Sequence, residues 1–179
     1  NADNPVHTLV KMLSALLAEP LDQGSAAFEP SSLQVTSVDV GNPATNVIPA
    51  RATVMFNSRI NDKHSSASLE ARLRQTLDRV GGRYSLSITV SGESFLTPAG
   101  GFAELVQQAV TETLGRRPEF STSGGTSDAR FIRAFCPVVE FGLVGATMHK
   151  VDERVSVADI ESLARVYTRV LERFFAAAP

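Results

Sequence analysis

Cys136-Pro137-Val138-Val139-Glu140-Phe141, followed by Gly142-Leu143-Val144-Gly145-Ala146-Thr147-Met148-His149, decides how the second half of the chain is read. The first six residues form a near-continuous apolar run of the kind a strand shows when both its faces are buried. Such a strand belongs to a parallel or mixed sheet covered by helices. The loop after it ends on a histidine, and in open α/β sheets ligands sit outside the carboxyl ends of strands. Upstream, Phe102, Leu105, Val106, Ala109, Val110 and Leu114 recur at helical spacing and stop at Gly115. A short strand near Phe120 leads into Gly124-Gly125, and a helix is expected from Thr126 or Ser127. Downstream, Ser156 with Asp159 three residues on opens a last helix. Ile160, Leu163, Tyr167, Val170, Leu171 and Phe174 are its expected inward face. This α-β-α-β-α order suits an incomplete α/β segment whose central strand wants neighbours on both sides.

The first half is punctuated differently. Asn4-Pro5 is a helix start, and Val6, Leu9, Val10, Leu13, Leu16 and Leu17 give that helix an apolar face. Strands are expected over Leu33–Val40 and Ala50–Ile60, joined by the turn-rich loop Gly41 to Asn46 and therefore antiparallel. Ser65 or Ser66 caps the next helix, Leu69, Leu73, Leu77 and Val80 form its stripe, and Gly81-Gly82 ends it. Tyr84, Leu86, Ile88 and Val90 alternate as a third strand. The order α-β-β-α-β closes as a two-layer sandwich with helices on one face of a sheet. The whole is an α/β chain: an α+β domain followed by part of an α/β domain.

Bulk properties exclude several classes. With 179 residues, 43% apolar and 20% charged, the chain is of ordinary globular composition. A net charge of -2 offers no basic surface for nucleic acid. No apolar run approaches the ~18 residues of a membrane span. One cysteine, Cys136, rules out an intrachain disulfide and fits a reducing cytosol. Beside Pro137 in an apolar run it reads as a packed thiol. The opening Asn1-Ala2-Asp3-Asn4-Pro5 shows no basic-then-apolar leader and is expected to be the start of a fragment, a processed form or a trimmed chain.

The residues that could carry chemistry cluster late. In Ser123-Gly124-Gly125-Thr126-Ser127-Asp128-Ala129-Arg130 the glycines would let backbone approach a ligand, a helix start would face an anion, and Arg130 would fork onto a carboxylate. An ordinary glycine turn explains the same string. His149 suits a zinc-like metal, or is simply a solvated imidazole. Asp152-Glu153 could support it from behind or be solvated loop charges. His7 and His64 read as surface residues. No HExxH, CxxC, phosphate loop or GxSxG string is present.

Taken in order, STSGGTSDARFI, CPVVEFG and GATMHKVDERV, with NADNPVH, NVIPARATVMFNSR and SGESFLTPAG before them, resemble the bacterial succinyl-diaminopimelate desuccinylases. These belong to the di-zinc aminoacylase and carboxypeptidase-like metallopeptidase superfamily. The resemblance covers essentially the whole chain. It implies a zinc-dependent amidohydrolase that converts N-succinyl-LL-2,6-diaminopimelate to succinate and LL-2,6-diaminopimelate, in lysine and diaminopimelate biosynthesis. It implies a pair of zinc ions in each subunit with cobalt as a substitute, a cytoplasmic homodimer, residues 1–94 as lid and dimerisation domain, and 95–179 as the C-terminal piece of the catalytic domain. Residue by residue, His149 resembles the last metal ligand. Gly125, Thr126 and Arg130 resemble cleft residues, Asn46 and Arg59 lid residues that contact substrate, and Ser91 a residue at the hinge side. Gly145 stands where many relatives carry Asn.

The other metal ligands and a carbonyl-polarising histidine from the partner subunit are expected in a missing N-terminal segment, so these 179 residues are expected to be inactive alone. Two alternatives stay open. One is a related deacylase such as acetylornithine deacetylase, against which GGTSD argues. The other is a non-catalytic dimerisation module.

Overall fold

The structure, a computed structural model, describes residues 3–124 and 127–176. Helices and one two-stranded antiparallel sheet make it a mixed α/β protein. It divides into two compact units, Asn1–Phe95 and Leu96–Pro179.

In the first unit, helix α1 (Pro5–Leu17) begins where the Asn4 side chain accepts a hydrogen bond from the Val6 N–H, 3.0 Å, ahead of Pro5. Its buried residue is Met12, which the apolar spacing passed over, while Val10 and Leu17 face outward. Strands β1 (Ser32–Asp39) and β2 (Thr53–Arg59) pair antiparallel from Ser32 opposite Arg59 to Asp39 opposite Thr53. The register slips between Val35 and Ser37, leaving Thr36 as the extra residue of a bulge. Helix α2 (Ser66–Val80) starts on a reciprocal box, Ser65 with Ser68, and stops at Gly81 with φ 77°. Leu69 and Leu73 of α2, with Leu21, hold the core. Leu16 of α1, Leu33 of β1, Phe56 of β2, Ile60 and Leu86 pack against it. Both helices therefore lie on one face of the sheet.

The third strand does not form. Residues 83–98 join no ladder among the described residues, although Tyr84 and Leu86 still turn inward between exposed Arg83, Ser85 and Ser87. The run is laid along α2 by side chains instead. Tyr84 donates to Asp78 (2.6 Å), Arg74 donates to the Leu86 carbonyl (3.2 Å), and Glu93 accepts from the Ser66 N–H (3.0 Å) and hydroxyl. A period-2 pattern makes a strand only where a second strand offers its edge.

In the second unit, helix α3 (Gly101–Leu114) ends on Gly115 in the left-handed region, φ 69°. It packs on helix α5 (Val157–Ala176) through Val106, Val110 and the fully buried Val166. Glu112 of α3 clamps the pair by bonding Arg169 (2.7 Å) and Arg173. Two expected strands are corrected here. The segment near Phe120 is irregular and exposed. The run Cys136–Phe141 joins no ladder, and only Val139 and Phe141 reach the α3–α5 core. A strand buried on both sides needs neighbouring strands, and the described residues of this unit contain none. Cys136 is correspondingly exposed rather than packed. The inward face of α5 also differs: Ile160, Tyr167, Leu171 and Phe174 are exposed, because α3 covers a stripe centred on Val166.

Candidate active site

His149 sits in a loop that is tied at its base. The Thr147 hydroxyl donates to the Arg154 carbonyl (2.8 Å) and accepts from the Arg154 N–H (3.0 Å). Backbone bonds Met148 N–H to Gly145 C=O and Lys150 N–H to Thr147 C=O, each 3.1 Å, fold the turn. The Lys150 ammonium donates to the Ala146 carbonyl at 3.0 Å. His149 and Asp152 both adopt positive φ, 64° and 59°, a region His and Asp enter more readily than most residues. The imidazole of His149 is exposed and has no hydrogen bond or ion pair among the described residues. Asp152 and Glu153 are exposed too, and neither bonds to His149. Gly145 lies beside this turn: a Cβ there would stand 3.2 Å from Met148 Cε and 3.3 Å from Met148 Cβ.

Arg130 lies in a single helical turn, α4 (Ala129–Ile132). The helix expected from Thr126 or Ser127 is therefore later and shorter, since Ser127 spends its hydroxyl on the Ala129 N–H (3.1 Å). Four residues build no array of free amides for an anion. The guanidinium of Arg130 lies over the Phe131 ring, 4.6 Å from its centroid, and its buried Nε has no hydrogen-bond partner among the described residues. That orphaned donor suits an acidic ligand. Gly125 and Thr126 lie outside the described residues.

The remaining predicted residues stand on three segments of the first unit. Asn46 is exposed at the turn of the loop 40–52, which Asn42 ties by donating to the Val47 carbonyl (2.8 Å). Arg59 is the exposed last residue of β2. Ser91 is exposed two residues before Glu93. Among the described residues no hydrogen bond or ion pair joins any two of the three; they share a unit, not a cluster. One open hollow lies between α3 and α5, lined by Glu104, Gln108 and Arg173, and another runs along α3 past Gln107 and Thr111; neither includes a predicted residue.

One constellation went unnoticed in the sequence. Asp22 accepts from the Gly24 N–H (2.6 Å), the Ser31 N–H (3.2 Å) and the Asn61 amide (2.7 Å), and lies 3.4 Å from His64 Nε2. Burial works to raise its carboxyl pKa. Hydrogen bonds from Ser31, Gly24 and Asn61 outweigh that and hold it well below the usual carboxylate range. His64, read as a surface residue, is thus mostly covered, and its Nε2 also faces the Leu21 carbonyl at 3.3 Å. His7 is exposed as read. The local signal was Asp-x-Gly at Asp22, an Asx-turn spacing.

Whether these residues fit a metal is decided by donor count. Among the described residues no three His, Cys, Asp or Glu side chains converge. One imidazole does not hold a zinc-like ion against water, so these residues by themselves do not make a metal centre. No helix among the described residues is long and apolar enough to cross a membrane.

The family model described as peptidase family M20/M25/M40 matches residues 8–173. A succinyl-diaminopimelate desuccinylase of Rhodospirillum centenum is 58% identical over 99% of this chain and 46% of its own length. That of Rhodospirillum rubrum is 58% identical over 98% of the chain and 46% of its own length. That of Xanthobacter autotrophicus is 57% identical over 97% and 47%. The chain spans about half the length of the curated relatives it matches.

Proposed function

The chain belongs to peptidase family M20/M25/M40, and from that premise we propose that it is part of a succinyl-diaminopimelate desuccinylase. The full-length protein hydrolyses the amide of N-succinyl-LL-2,6-diaminopimelate to succinate and LL-2,6-diaminopimelate. The observation that carries this reading is identity of 52–58% to desuccinylases across 97–99% of the chain. The same reading makes residues 1–94 the lid and dimerisation domain of a cytoplasmic homodimer and residues 95–179 the last part of the catalytic domain.

The chemistry of the named side chains supports it. The substrate carries several carboxylates. Arg59 and Arg130 are two guanidiniums whose side chains have no ion pair among the described residues, and each can fork onto a carboxylate. Asn46, Ser91, Gly125 and Thr126 would orient the substrate by amide, hydroxyl and backbone bonds. His149 would give one imidazole to a metal, and the remaining ligands would come from outside these residues. The family implies a metal cofactor, here read as a pair of zinc ions that cobalt can replace. When bound, such a metal supplies an acidified water and polarises a carbonyl.

The test is succinate release by the full-length protein, with zinc, from succinyl-diaminopimelate and, in parallel, deacetylation of acetylornithine. The expected kcat/KM ratio favours the succinylated substrate by on the order of 10²-fold or more. Preference for acetylornithine would overturn the substrate assignment. Zinc-dependent hydrolysis by the 179-residue chain alone would overturn the division of the site.

A further inference from the structure

Helix α2 is capped twice. Its first cap is local: the Ser65 hydroxyl accepts from the Ser68 N–H (3.1 Å), and the Ser68 hydroxyl accepts from the Ser65 N–H (3.0 Å). That box leaves over the Ser66 N–H, one of the first amides of a helix, which have no carbonyl inside it to bond. Glu93, 27 residues further on, takes it up. Both oxygens of its carboxylate lie within reach of the Ser66 N–H, at 3.0 and 3.2 Å, and the Ser66 hydroxyl donates to one of them. The first turn of α2 has no acidic residue of its own, so Glu93 also brings the negative charge that the positive end of a helix favours.

The second cap does more than finish the helix, which the box already starts. Tyr84 is tied to Asp78, Leu86 to Arg74 and Glu93 to Ser66, so the chain runs back along α2 from its end to its beginning. Glu93 is the tie at the far end of that path. Ser91 stands two residues before it, exposed, and its hydroxyl bonds to nothing among the described residues. Where that hydroxyl points is therefore set by the ties on either side of it, and Glu93 is the nearer one.

We infer that Glu93 is a positioning residue for the proposed amide hydrolysis: by gripping Ser66 it fixes the segment that carries Ser91 to the start of α2, and so sets where the Ser91 hydroxyl meets substrate. The inference rests on the reading of Ser91 as a substrate contact. Glu93 acts through Ser91 and touches no reacting atom.

The test uses the full-length protein and two readouts. The first is hydrogen–deuterium exchange read by mass spectrometry with residue-level fragmentation. In Glu93→Ala the Ser66 amide should exchange about 10-fold faster while the amides of 70–80 keep their rates; in Glu93→Gln, which keeps an acceptor oxygen, it should stay within about 3-fold of wild type. An unchanged Ser66 rate in Glu93→Ala overturns the inference. So does loosening of 70–80, which would make Glu93 a support of the helix alone. The second readout is kinetic, with succinyl-diaminopimelate. Glu93→Ala should raise KM about 10-fold and change kcat less than about 2-fold, and Glu93→Gln should recover most of the loss. In a Ser91→Ala background the same substitution should raise KM less than about 2-fold, because the group it positions is gone. An equal rise in both backgrounds, or an unmoved KM, overturns the inference. Absence of hydrolysis in the unmodified protein would sink the reading on which the inference rests, whereas normal hydrolysis with an unmoved KM in Glu93→Ala sinks the inference alone.

Discussion

Replacing Asp22 by alanine removes the acceptor at the centre of the first unit. The residues that lose it are buried: Gly24, Ser31 at 7% exposure and Asn61 at 2%. A hydrogen bond to a charged acceptor contributes about 1.5–3 kcal/mol net, and a buried donor left unpaired costs about 1–3 kcal/mol. The three bonds do not add in full. The Asn61 amide keeps the Glu29 carbonyl at 3.1 Å, and the three donors share one carboxylate, so their losses are coupled. We expect Asp22→Ala to cost about 3–5 kcal/mol and Asp22→Asn, which keeps one acceptor oxygen, about 1.5–3 kcal/mol.

The carboxyl is held below its ordinary value in the folded chain, whereas the unfolded chain titrates it near about 3.9. Its contribution is therefore complete above about pH 5 and lost as pH falls from there toward the depressed folded value. The stability gap between wild type and Asp22→Ala should be full at pH 7 and narrower at pH 3. Urea unfolding followed on backbone amide resonances of residues 5–80 measures it with the two units resolved. A cost under about 1 kcal/mol, or a gap that does not change between pH 7 and pH 3, would refute the argument. The network also bears on the proposed site. Asn61, held by Asp22 and by the Ser31 hydroxyl (3.0 Å), lies two residues beyond Arg59, so the same variant should raise KM more than it lowers kcat in the full-length protein.

Other outcomes follow from single positions. His149→Ala in the full-length protein should weaken metal affinity at one site by more than about 100-fold, read as metal content after dialysis; unchanged content and rate would remove His149 from the ligand set. Gly82 has φ 97° and a Cβ there would stand 2.7 Å from Thr8 Cγ2, whereas Gly81 has φ 77° and open space. Gly82→Ala should therefore cost about 2–3 kcal/mol and Gly81→Ala about 1 kcal/mol by the same urea assay. Val166→Ala, at a fully buried position between α3 and α5, should cost about 1.5–3 kcal/mol. In the 179-residue chain Leu171→Ala, at a position 57% exposed, should cost less than about 1 kcal/mol.

The parts of this fold that were legible in sequence are those whose cause is local. Asn4-Pro5, Ser65, Gly115 and Ser156 mark helix ends correctly because a cap is settled by residues within one turn of it. The β1–β2 pair was legible because both partners lie in the chain and a loop joins them. The runs 84–90 and 136–141 carry equally good patterns and form no ladder, since a ladder belongs to two segments and a pattern to one. The misread face of α5 has the same origin. Its apolar residues make two stripes, and only the position of α3 decides that the one through Val166 is inside. Asp22 escaped notice because its partners at Ser31, Asn61 and His64 are joined only by folding.

The site divides along that line as well. Side-chain chemistry singled out His149 and Arg130 and the family resemblance added Arg59, but what would make them a site is convergence, which no single segment encodes. What the structure adds at His149 is posture. A histidine in the left-handed region costs roughly 1 kcal/mol or more, and the surrounding turn imposes it through Thr147, Lys150 and the backbone bond from the Met148 N–H to the Gly145 carbonyl. The tied loop presents an imidazole that bonds to nothing else among the described residues. A side chain at 145 would press on Met148, the residue next to the imidazole, so the glycine at 145 is matched to the way this turn holds His149.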